Sequence, residues 1–216
     1  MRRVICLMVL LGIIGVISVL CFQRQNQPQT IMIDGVAWTQ VLHWSFRDGL
    51  YPNSWGWGNW QIVDSELEGR ESEGEFSVYF LPFIHGGDFI LETRFRFLKG
   101  LDNDVEAQLL TRDSSEINSE SGMVLFAEED KVTVRHVADR IDYVYKAFPI
   151  NVSIEYGEWF VMRLMIYKGI VKAFVNDVQI YGSNESFPVG EYREPHLAVR
   201  YGIARFEYLK VYVTNS

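Results

Sequence analysis

Apolar and polar side chains change places at every second residue through most of this chain. DFILETRFRF (residues 88–97) sets Phe89, Leu91, Thr93, Phe95 and Phe97 against Ile90, Glu92, Arg94 and Arg96. DVEAQLLTR (104–112) sets Val105, Ala107 and Leu109 against Glu106, Gln108 and Arg112. A strand sends successive side chains to opposite faces, so this period predicts half-buried pleated sheet. GMVLFAEEDKVTVRHV reads as strand, acidic turn at Glu129-Asp130, strand, and RIDYVYKAF follows it. EWFVMRLMIYKGIVKAFVNDVQIYG reads as three strands joined by tight turns at Lys168-Gly169 and Asn176-Asp177. PHLAVRYGIARFEYLKVYV closes the chain in the same period. About twelve strands at this spacing predict an all-β antiparallel sandwich.

The exception is the start. Val4 to Phe22 are nineteen consecutive uncharged, mostly apolar residues. As a helix they would span about 28 Å, close to the hydrocarbon thickness of a bilayer. Arg2 and Arg3 precede the run and favour a cytoplasmic N-terminus. Residues 1–23 are therefore read as an N-terminal transmembrane anchor, in preference to a lipidated Cys21 or a cleaved signal. Residues 24–40 are read as a polar tether and lead-in, and residues 41–216 as a β-sandwich outside the cytoplasm. The two cysteines, Cys6 and Cys21, both fall in the anchor, about 22 Å apart on a helix, so they cannot bridge. The outer domain must then be held by core burial alone. Of the 20 Lys+Arg, Arg2 and Arg3 belong to the anchor, leaving 18 against 28 Asp+Glu, a net charge of −10. That excludes the basic footprint that nucleic acid or anionic lipid demands.

The serial order of WSFRDG, WGNWQIVDSELEG, GGDFILETRFRF, GEWFVMRLMIYKGIVKAFVNDVQIY and VRYGIARFEYLKVYV resembles the concanavalin A-like lectin/glucanase superfamily. It is nearest to the laminin-G-like and 3-keto-disaccharide hydrolase-like branches. The resemblance covers residues 41 to 214. It implies a jelly roll of two curved antiparallel sheets, with glycan bound on the concave sheet or at loop rims in many members and cleaved in some.

Two clusters carry candidate chemistry. Trp55 and Trp57 sit among Pro52, Asn53, Ser54, Gly56 and Gly58, a loop composition, and either cap the sandwich or form an exposed stacking platform. Trp44, Trp60 and Trp159 read as core. The second cluster is the polar face of the middle strands: Glu92, Arg94, Glu106, Gln108, Arg112 and Arg163. If those strands are neighbours, they line a groove able to hydrogen-bond sugar hydroxyls; otherwise they are cross-strand ion pairs. Asp64, Glu66 and Glu68 superficially match the Glu-x-Asp-x-x-Glu strand of the glucanases in this superfamily. Asp64-Ser65 nevertheless reads as a hairpin turn with Glu66 and Glu68 on the outgoing strand. The four histidines have no metal-ligand spacing. Asp102-Asn103-Asp104 is a weak calcium candidate in what reads as a turn. Asn151-Val-Ser153 and Asn184-Glu-Ser186 are glycosylation sequons. No catalytic set, metal site or cofactor is expected. The reading is a membrane-held, non-catalytic glycan-recognition domain, with a sugar-active hydrolase or lyase using Glu92, Glu106 and Arg112 as the alternative. A structural or protein-interaction module is the third possibility.

Overall fold

The computed structural model describes residues 29–71, 76–82, 84–85, 88–100, 105–112, 120–127, 130–138, 141–150, 153–189 and 192–214. The expected anchor, the Asp102 to Asp104 loop and Asn151 lie outside the described residues. Among those described, no helix is long and apolar enough to cross a membrane.

Strands are numbered in chain order. The first sheet runs β1 (Thr30–Ile33), β2 (Val36–Ser45), β17 (Gly202–Thr214), β8 (Phe89–Gly100), β13 (Phe160–Tyr167), β14 (Ile170–Val175) and β15 (Val178–Gly182). Beside this path β5 (Glu66–Glu71) pairs with β17 and with β4 (Asn59–Val63). The second sheet runs β12 (Ile141–Pro149), β11 (Lys131–Ala138), β10 (Glu120–Phe126), β9 (Glu106–Arg112), β16 (Tyr192–Arg200), β6 (Ser77–Phe80) and β3 (Trp55–Trp57), with β7 (Ile84–His85) on β16. Every pairing is antiparallel.

The period-two reading places the inner faces correctly. Phe89, Leu91, Phe95 and Phe97 of β8 meet Ala107 and Leu109 of β9, Met123 and Leu125 of β10, and Leu197 and Val199 of β16 in one core. The tight turns behave as their residues require. Asp64-Ser65, Lys168-Gly169 and Asn176-Asp177 all have positive φ at both positions, and Asp34-Gly35 makes a fourth such turn. Two left-handed residues match the right-handed twist of the flanking strands, which is why short polar residues and glycine occupy them. Gly169 is also held by contact: a Cβ there would lie 2.3 Å from Ser186 Oγ and 2.4 Å from the Phe187 carbonyl oxygen.

Two features differ from the sequence reading. The sheet begins at Thr30, inside the expected lead-in, because the β1–β2 hairpin carries its own apolar residues. Trp38 from that hairpin is fully buried on the outer face of the first sheet against Ile90, Met165 and Tyr212, a second small core. Asp34 at the hairpin tip pairs with Lys172 of β14. Trp159 is not in the core. It lies just before β13, one residue out of phase with inward Phe160, and is half-buried between the Arg94 and Arg96 guanidiniums, each 4.7 Å from its ring. Trp44 and Trp60 do pack against the core.

Candidate functional site

The eight predicted residues separate onto opposite faces of the sandwich. β8 and β9 are consecutive in the chain but belong to different sheets, so their identical alternation exposes different surfaces. Glu92, Arg94 and Arg163 lie on the outer face of the first sheet; Trp55, Trp57, Glu106, Gln108 and Arg112 lie on the second.

On the first face the ionic groups satisfy one another. Glu92 accepts hydrogen bonds from Arg163 Nε at 2.8 Å, Tyr208 Oη at 3.0 Å and Lys210 Nζ at 3.3 Å. Burial pushes the Glu92 carboxyl up, but Arg163, Lys210 and Tyr208 together hold it below the usual carboxylate range. Arg163 reaches on to Asp177, and Arg94 pairs with Glu207 at 2.6 Å. The acidic run behaves likewise: Glu66 pairs with Arg96 at 2.7 Å and Glu68 with Arg205 at 2.8 Å. This face is cross-strand ion pairing between neighbouring strands, and Asp64-Ser65 is a hairpin turn.

The second face is a groove of about 500 Å³ lined by Trp57, Phe76, Val78, Phe80, Gln108, Leu110, Arg112, Glu120, Arg135, His196 and Ala198. Its floor is apolar. Trp55 stacks on Phe80 at 4.2 Å with a 9° interplanar angle, and Trp57 lies 5.2 Å from the same ring. The two tryptophans remain 47% and 50% exposed. They are also held in place. Trp60, seated on the core, donates its Nε1–H to the Trp57 carbonyl at 3.2 Å, and Trp55 Nε1 donates to Glu194 Oε1 at 3.2 Å.

Register gives the groove its direction. One rung of the ladder crosses the seven strands of the sheet's main path: Trp55, Phe80, His196, Leu110, Gly122, Arg135 and Tyr145. The rung beside it carries Trp57, Val78, Ala198, Gln108, Val124 and Thr133. Polar rows flank these two rungs. On one side Glu194, Arg112 and Glu120 stand in register; Arg112 Nε donates to Glu194 Oε2 at 2.5 Å, and Glu120 pairs with Arg135 at 3.2 Å. On the other side Arg200, Glu106, Phe126 and Lys131 are in register, with Gln108 Nε2 donating to Glu106 Oε2 at 2.8 Å.

His196 sits in the middle of the floor, 4.8 Å from the Phe80 ring. Burial, and then the charges of Arg112 and Arg135, pull its pKa from 6.5 down to about 4, against a raising contribution from the Glu194 carbonyl. The floor is therefore uncharged at neutral pH. Because the unfolded chain takes up this proton first as pH falls, the stability that neutral His196 contributes is complete above pH 6.5 and lost towards pH 4. The loss is about 3 kcal/mol. His196→Asn should flatten the melting-temperature profile between pH 6.5 and 4.5, where Glu68 and Glu92, both held below 4.5, are still ionised. A variant profile that falls as steeply as wild type would refute this.

The groove carboxylates do not form a close pair with Glu106. It lies six residues along β9 from Arg112, the register position of Glu120 and Glu194, about 20 Å along the strand, whereas glycosidase pairs stand about 5 to 9.5 Å apart. Among the described residues no cluster of His, Cys, Asp or Glu could hold a metal ion. Residues 76–80, 120, 135, 145, 194 and 196 escaped the sequence reading. Phe76 and Val78-Tyr79-Phe80 form a near-continuous apolar run whose faces are indistinguishable without the sheet order.

No family model matches the chain, and no curated protein matches its sequence. Solved structures do match its shape. An endo-β-1,3-glucanase from Pyrococcus furiosus superposes with a TM-score of 0.68 at 13% identity, over 88% of this chain and 99% of that one. The laminarinase catalytic domain from Thermotoga maritima gives 0.66 at 11%, over 83% and 99%. The carbohydrate-binding module CBM66 from Bacillus subtilis gives 0.56 at 16%, over 73% and 96%. At these identities the likeness is one of fold: the chain is a concanavalin A-like jelly roll, the architecture these glucanases and this binding module share.

Proposed function

We propose that this chain is a non-catalytic carbohydrate-recognition domain that holds a β-linked glucan in the groove of the second sheet. We further propose that the apolar run Val4 to Phe22 tethers it to a membrane, with the sandwich outside the cytoplasm. The observation that carries the first reading is the aromatic floor, Trp55 and Trp57 on Phe80, between two rows of hydrogen-bonding side chains. A β-linked pyranose has apolar C–H faces and a rim of equatorial hydroxyls. Such a ligand stacks on the floor and bonds to the rows, and the aromatic energy is specific to ring-on-face contact. The fold neighbours named for β-1,3-glucan and for laminarin make β-glucan the ligand to test first.

A groove of this kind also serves hydrolysis if one carboxyl keeps its proton beside the scissile bond. Glu194 is instead clamped by Arg112 and the Trp55 indole, and Glu120 is paired with Arg135. Affinity electrophoresis through laminarin and through mixed-linkage β-glucan, with a reducing-end assay on the same material, separates the readings. Retarded migration with no new reducing ends is expected. Release of reducing ends would make the chain an enzyme, and unretarded migration in both gels would reject the β-glucan assignment.

A further inference from the structure

We propose that the groove reads a linear, neutral glycan of about five or six residues along its length, with Tyr145 as the far subsite; this rests on the glucan reading above. Tyr145 lies on the edge strand β12, on the same register rung as Trp55 on the opposite edge strand β3. Six strand intervals of about 4.8 Å separate them, about 29 Å along the sheet, which suits about five or six hexose units. Tyr145 is 72% exposed, and among the described residues no ring stacks on it. Tyr145 stands one strand beyond Arg135, the groove's outermost lining residue on that side, and its open ring offers a stacking face there.

Gly122 is the fifth of the rung's seven residues, and a Cβ at that position would lie 2.3 Å from Leu110 Cδ2. The bare glycine lets Leu110 lie flat over it, so the floor carries no ridge between Arg135 and Phe80. Neutrality follows from the pairing of the guanidiniums. Arg112 is engaged by Glu194 and Arg135 by Glu120, so a uronate would have to displace a carboxylate already in place.

Calorimetric titration of the full chain in detergent with a β-1,3-glucan ladder of two to about eight residues tests this. Affinity should rise about tenfold or more between the trisaccharide and the hexasaccharide and then level off. Tyr145→Ala should remove most of that rise and leave trisaccharide affinity within about twofold. A plateau already reached at the trisaccharide, or a Tyr145→Ala series that overlays wild type, would overturn the extended site while sparing the groove. Failure of every length to bind would instead strike the glucan reading beneath it. Oligogalacturonate of equal length should bind at least about tenfold more weakly, and equal or tighter binding would refute the neutral class.

Discussion

Replacing Trp57 by alanine is expected to weaken β-glucan binding by about thirtyfold or more while moving the melting temperature by less than about 2 °C. The indole is half exposed, lines the groove and touches Phe80 and Trp55 at ring distances of 5.2 and 5.9 Å. Its loss removes a rigid stacking surface whose position is already set by the Trp60 bond to its carbonyl, so the ordering cost of binding is small in the native protein. That bond is to the backbone and survives the substitution. Little core burial is lost, which is why stability should barely change. Affinity electrophoresis read beside a thermal melt gives both answers. Unchanged binding would remove Trp57 from the site, and a drop of many degrees would make it a structural residue.

Phe95→Ala should have the opposite signature: a melting temperature about 10 °C lower, with binding in the surviving folded fraction unchanged. Phe95 is fully buried in the centre of the sandwich, with ring distances of 5.3 Å to Phe97, 5.9 Å to Phe206 and 6.2 Å to Phe160. Truncation leaves a cavity that three sheet-bound rings cannot collapse into, and losses of about 3–5 kcal/mol are usual for such a change. Against a total stability of about 5–15 kcal/mol that is a large fraction. Denaturant melts with an unchanged slope would confirm the loss as one of stability. A shift below about 2 °C would mean the core repacks freely, contrary to its close-packed aromatic geometry.

The contrast between Trp57 and Trp159 marks where local sequence information ends. Trp57 closes β3 between two glycines, and Trp159 stands between Glu158 and the first residue of β13. Trp57 lines the groove because β3 pairs with β6, a strand twenty residues downstream. Trp159 fails to reach the core because β13 begins one residue later, on the opposite parity, and two arginines from β8 close around its ring. Glu92 and Glu106 make the same point. Each belongs to the same alternation, yet one closes an ion-pair network on the first sheet and the other accepts a bond from Gln108 on the outer face of the second.

Residue alternation alone determined that this chain would be paired antiparallel strands. It also determined which side chains of β8 and β9 turn inward and where the left-handed turns at Asp64, Lys168 and Asn176 fall. Those properties depend on the two-residue pleat and on local φ preferences, both of which act within a few residues. Which sheet each strand joined was settled only by tertiary pairing between segments as distant as β9 and β16. The rung from Trp55 to Tyr145 exists because nonlocal hydrogen-bond registers align seven strands, and a shift of one residue in any of them would turn that strand's floor residue to the other face.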